Sequence, residues 1–126
     1  MIPPNCPFCS LSPDRVRWQN ESFIAFTDGF PVSEDHTLVI PREHVQSIFN
    51  LSDGEQVALW SFVAMVRSKL ENEIGLNAFN IGINDGAAAG QTVPHAHVHI
   101  IPRRDGDVDD PRGGIRWVIP SKAKYW

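Results

Sequence analysis

The sequence predicts an α+β domain, a mainly antiparallel sheet of about five strands carrying one long helix. Short apolar segments are joined by turns rather than by helical crossovers, the mark of antiparallel pairing. Only one stretch sustains helical spacing. The chain's 126 residues suit one hydrophobic core. No repeat, low-complexity run or long linker divides them, so 1–126 reads as one domain.

In chain order, 15–18 and 22–28 read as two short strands, with Gln19-Asn20-Glu21 as the hairpin turn between them. Asp28-Gly29-Phe30-Pro31 turns, and 37–40 forms a strand that Pro41 stops. Ser52-Asp53-Gly54-Glu55 has the spacing of a capping box, in which serine and glutamate satisfy each other's backbone N–H groups. Leu59, Val63, Val66 and Leu70 then recur at helical intervals. Ile74-Gly75 ends the helix, with Gly75 as a left-handed cap. Residues 77–83 alternate as a strand, Asn84-Asp85-Gly86 turns, and 87–90 is a small-residue loop. Residues 96–101 form the next strand, and 115–119 suggest a last short one.

Composition narrows the function. The chain is 42% hydrophobic and 21% charged, with no apolar run of bilayer length. Met1 to Asn5 lacks the basic start and apolar stretch of a signal peptide, so a cytoplasmic protein is expected. A net charge of -4 argues against a general nucleic-acid binder. The charge is uneven. Arg103, Arg104, Arg112, Arg116, Lys122 and Lys124 make the tail 103–126 a basic segment on an acidic chain, suited to capturing an anion or simply solvated.

His95-Ala96-His97-Val98-His99-Ile100-Ile101 is the most informative segment. Alternation along a strand places His95, His97 and His99 on one face and Ala96, Val98 and Ile100 on the other. Imidazole titrates near neutrality, which suits nucleophilic and acid–base work. Two chemistries use such a row: metal binding, and covalent catalysis at phosphorus. An extended strand would separate His95 from His99 by about 13 Å, so one ion cannot easily take all three. No carboxylate or further histidine is adjacent in sequence. The loop 86–92 supplies backbone N–H groups for an anion, and Gln91 and Thr92 add side-chain donors.

This segment resembles the histidine triad (HIT) motif, three histidines alternating with apolar residues and followed by two more. The resemblance extends to Asp28, to His36-Thr37-Leu38-Val39-Ile40-Pro41, to Asn84 and to Gly90-Gln91-Thr92-Val93, covering about residues 6–104. Ile101-Pro102-Arg103 is more similar to the Fhit and dinucleoside-polyphosphate hydrolase branch than to the Hint branch. The tail, with Asp110-Pro111-Arg112-Gly113-Gly114, is similar to bacterial members whose substrate is unsettled. The resemblance implies a HIT-like fold and a nucleotide hydrolase or transferase. His97 would attack an α-phosphorus and form a nucleotidyl-histidine, which water resolves to a nucleoside monophosphate. His99 would contact the phosphate and the bridging atom, and His36 would shape the phosphate pocket. Asn84, Gln91 and Thr92 would hold phosphate oxygens or the leaving group, and Asp28 the ribose hydroxyls. The chemistry would need no metal. Homodimers, paired through the long helix and a strand, are usual in the family.

Cys6-Pro7-Phe8-Cys9 has the spacing of a metal knuckle but supplies two ligands only. A redox pair or two free thiols are the other readings, although no thioredoxin-like pattern surrounds the pair. Bacterial family members with this cysteine pair resemble a structural Cys-Cys-His-His zinc site, which implies His44 and His95 as the remaining ligands. That role would add to His95's place in the catalytic triad.

Trp18, Trp60, Trp117 and Trp126 are expected to pack in the core or at an interface rather than to stack on bases. Phe8, Ile24 and Phe26 are candidates to line a base pocket near Asp28, and Arg103-Arg104 to meet distal phosphates. Substrate candidates share an α-phosphate and differ in leaving group: dinucleoside polyphosphates, nucleoside phosphoramidates and adenylyl sulfate. The competing readings are a non-catalytic nucleotide-binding regulator and a metal-dependent hydrolase using the histidine row.

Overall fold

The computed structural model describes residues 5–126. The reading at Met1–Pro4 lies outside them. Five strands, β1 (Val16–Gln19), β2 (Phe23–Thr27), β3 (Thr37–Pro41), β4 (Phe79–Gly82) and β5 (Val98–Pro102), pair antiparallel in the order β1-β2-β3-β5-β4. The one α-helix, α1 (Asp53–Ile74), lies between β3 and β4 in sequence.

Each face of the sheet has its own cover. Ala25, Val39, Val98 and Ile100 form one buried cluster with Leu59, Val63, Val66 and Leu70 of α1. Phe26, Leu38 and Ile40 form the second, with Phe8, Leu11 and Ile24 packed against it. The central strand β3 is therefore buried along its whole length. That explains why Thr-Leu-Val-Ile-Pro reads as a continuous apolar run rather than as an alternation.

Local signals act as expected around the helix. Ser52 Oγ accepts from Glu55 N and Glu55 accepts from Ser52 N, closing the capping box. Gly75 ends the helix at φ 71, in the left-handed region that side chains rarely adopt. Asn20 Oδ1 accepts from Ser22 N and Phe23 N, which tightens the first hairpin.

Two expectations need correction, and one is narrowed. The histidine strand begins at Val98, not Ala96, so His95 and His97 precede it. Pro94 carries no N–H to pair, and Ala96 N donates to Val45 O instead of to a strand. The segment expected as a last strand is a 3-10 turn, Gly114–Val118. Gly113 (φ 93) and Gly114 (φ 44) place consecutive residues in the left-handed region, which curls the chain. Of the two places expected for Trp60, core or interface, its 45% exposure excludes the core.

Candidate active site

Alternation survives the shift in strand start. Ala96, Val98 and Ile100 enter the core under α1, while His97 and His99 line a cavity of about 420 Å³. Asp28, His36, Asn84 and Thr92 line the same cavity. Thus six residues expected from the sequence converge, from the β2–β3 loop, β3's approach, the loop after β4, and the segment entering β5.

Hydrogen bonds fix which ring nitrogen is available on each histidine. His97 Nδ1–H donates to the carbonyl of His95 at 2.8 Å. Its other nitrogen, Nε2, therefore keeps its lone pair. Val32 N–H donates to His36 Nδ1 at 3.1 Å. His36 must then carry its proton on Nε2, which donates to His99 Nδ1 at 2.9 Å. His99 is left with a proton on Nε2. The chain Val32–His36–His99 thereby makes His99 a neutral donor at the cavity.

Burial keeps this relay uncharged. It pushes His99 down to about 4, helped by His97 and His36 and opposed by Asp28. Burial likewise lowers His36, with Asp28 opposing. Asp28 Oδ2 lies 3.4 Å from His36 Nε2, and its Oδ1 accepts from Phe30 N. Asp28, His36 and His99 are close enough to be considered as metal ligands. The sequence alone gave no such neighbours. The His36–His99 hydrogen bond already engages one nitrogen of each ring.

Two expected site residues stand elsewhere. His95 is fully buried and does not line the cavity. It reaches the nucleophile candidate only through its carbonyl, because its ring turns towards the cysteines. Gln91 is also outside the cavity lining. Its Oε1 accepts from Gly86 N, and its Nε2 donates to Gln46 O and Val93 O, so it braces its own loop. The arginine pair is engaged too: Arg103 with Asp107, and Arg104 with Glu34 O and Asp35. Of the proposed base-pocket residues, Phe8 lines the cavity, 5.1 Å from the His97 ring, whereas Phe26 is buried behind it. Sequence reasoning missed Arg15, which lines the cavity and whose guanidinium donates to Thr27 O. An isolated arginine carries no spacing that would have revealed it.

Beside the cavity, Cys6, Cys9, His44 and His95 converge. His95 Nδ1 lies 3.5 Å from both sulfurs and 3.1 Å from His44 Nδ1, which is 3.2 Å from Cys9 Sγ. A tetrahedral ion with bonds of about 2.0–2.3 Å holds its ligand atoms about 3.3–3.8 Å apart. His95 Nε2–H donates to Pro41 O at 2.8 Å, which leaves Nδ1 free for an ion. The four residues could hold a metal. Without one, burial, then Cys6, raises the Cys9 thiol to about 11.

A five-stranded antiparallel sheet that delivers two imidazoles of an alternating histidine triplet to one cavity defines a histidine-triad protein. The family model described as the HIT domain matches residues 11–106, and the chain belongs to that family. It is 37% identical over 108 residues to an uncharacterised HIT-like protein of Methanocaldococcus jannaschii, covering 81% of each chain. It is 40% identical over 96 residues to the bis(5'-nucleosyl)-tetraphosphatase (asymmetrical) of Schizosaccharomyces pombe. That match covers 76% of this chain and 53% of the relative, so the chain spans about half of that enzyme. A solved HIT-family structure from Bacillus subtilis superposes with a TM-score of 0.76 at 32% identity, over 82% of this chain and 76% of that one. Among the described residues no helix is long and apolar enough to cross a membrane.

Proposed function

We propose that the protein is a nucleotide hydrolase or transferase acting at the α-phosphorus of a dinucleoside polyphosphate or related conjugate. The hydrogen bond from His97 Nδ1 to the His95 carbonyl carries this reading. It presents the remaining ring nitrogen as a lone pair in a cavity that also holds donors.

His97 Nε2 attacks phosphorus; the N–P bond forms as the bond to the leaving oxygen breaks. The ring becomes cationic in the intermediate, and the His95 carbonyl dipole stabilises the charge on Nδ1–H. His99 Nε2–H donates to a phosphoryl or bridging oxygen, and Asn84 and Thr92 add donors. Arg15 supplies a cation for the anionic substrate. Asp28 accepts from the ribose hydroxyls, with Phe8 and Leu38 against the nucleoside. Water then cleaves the N–P bond, releasing a nucleoside monophosphate and restoring His97. The S. pombe relative's name, a nucleosyl tetraphosphatase, supports this substrate class. The nucleoside phosphoramidase alternative uses the same nucleophile with a nitrogen leaving group.

The Cys6, Cys9, His44 and His95 cluster fits zinc as a structural ion that ties the N-terminal knuckle to the segment bearing His97. Among the described residues β4 is one of the sheet's two unpaired edges, with β1 the other, and Trp60 is exposed on α1. Both support pairing of two copies through these elements.

Protein mixed with α-radiolabelled diadenosine tetraphosphate and quenched in alkaline detergent, where an N–P bond survives, should carry label on His97. His97→Asn should lose the label and reduce kcat at least about 10³-fold, as removal of a covalent nucleophile does. Undiminished turnover in that variant would end the reading.

A further inference from the structure

A second cavity, of about 640 Å³, lies beyond the first on the same face of the sheet. It falls within the roughly 300–1,000 Å³ of small-molecule sites. Ile101 forms part of its floor, and Ile115, Trp117 and Val118 of the tail contribute to its walls. Val32 lines both cavities. Ile101 follows His99 by two positions on β5, which puts it about 6.6 Å further along the same face. The second cavity thus continues the histidine site outward.

Its construction favours a flat apolar ligand over an anion. The guanidinium of Arg103 is gripped at both ends by Asp107, at 2.8 Å each, and Asp110 adds another carboxylate to the lining. No unpaired cation faces the slot among the described lining residues. Trp117 is fixed by its indole N–H, which donates to Arg112 O at 3.0 Å, yet 41% of the residue is exposed. Arg112 in turn lies 4.4 Å over the Trp126 ring and pairs with Asp110. Gly113, at φ 93 where a side chain would be strained, lies in van der Waals contact range of Trp117 and Trp126. The tail holds an aromatic surface in place before any ligand arrives.

We infer that this cavity is a subsite for the second nucleobase of a dinucleoside polyphosphate, stacked on Trp117, and that the tail therefore selects two-base substrates over conjugates with small anionic leaving groups. The inference rests on His97 being the nucleophile at the α-phosphorus. A nucleoside in the first cavity directs its phosphates past His97 and His99. The bridging phosphates then span the two strand positions to the slot over Ile101. A sulfate or pyrophosphate leaving group would meet carboxylates there and bring no base to stack on Trp117.

Calorimetric binding to His97→Asn protein tests this without turnover. Diadenosine tetraphosphate should bind about tenfold more tightly than ATP, the scale of one base on an aromatic ring. Adding Trp117→Ala should remove that advantage and leave ATP affinity unchanged, whereas Trp117→Phe should keep it. Val118→Asp, at an exposed wall position, should also remove it. Equal affinity for the two ligands in His97→Asn protein, or an equal loss of both with Trp117→Ala, would overturn the subsite and leave the nucleophile standing. No binding of either ligand, or turnover that survives His97→Asn, would overturn the nucleophile reading and the subsite together.

Discussion

The histidines differ in what they can do because each is held by a different partner. His97 is oriented by a carbonyl, His99 by another imidazole, and His95 by two sulfurs and a carbonyl. For His99 and His36 this has a measurable acid signature. Both lie below the ordinary histidine value in the folded protein, His99 at about 4. Between about pH 4 and pH 6.5 the native chain therefore binds fewer protons than the unfolded chain. Stability should be full above that window and fall as pH drops through it. Thermal melts from pH 7 to pH 4.5 should show the decline, and His99→Asn should lessen it, the remainder coming from His36 and His95, both lowered by burial. A melting temperature independent of pH there would contradict the buried neutral relay. Asp107, held down by Arg103, titrates below this window and does not confuse it.

Elements whose causes are local were legible; those set by distant partners were not. Ser52, Glu55 and Gly75 delimit α1 within its own sequence, and the helix ends where they predict. Ser52→Ala should lower unfolding free energy by about 1 kcal/mol, read by urea denaturation, with kcat unchanged. An unchanged midpoint would mean the capping box carries no net stability. The start of β5 was misread because the direction of His95 is decided by Cys6, 89 positions away, and by Pro41. Alternation showed which residues face the core, not where strand pairing begins. Gln91 looked like a phosphate donor because spacing places it near the histidines, yet three bonds to its own loop and to Gln46 use its amide. The tail read as a strand from its apolar residues, although Gly113-Gly114 signalled the curl.

At the scale of the whole molecule, two surfaces meet on one short stretch of backbone: the knuckle of Cys6 and Cys9 on one side, the cavity lined by His97 and His99 on the other. Zinc bound by Cys6, Cys9, His44 and His95 would link positions far apart in the chain. Protein purified without chelator should contain one zinc per chain. Cys9→Ser should release it and lower the melting temperature by roughly 10 °C. Substoichiometric zinc in the parent protein would refute the assignment. The fold reached from the sequence was right because turns and periodicity set it. The roles within the site emerged only when the long-range partners came together. On the proposed reading, the pentapeptide from His95 to His99 serves three masters at once: an anchor, a nucleophile and a proton donor, each two residues from the next. Such a stretch tolerates no change of length. One inserted or deleted residue would turn every following side chain to the opposite face, burying an imidazole in the core and exposing a valine to substrate. Changes of length are compatible with that reading only in the surrounding loops and the tail, outside the pentapeptide itself.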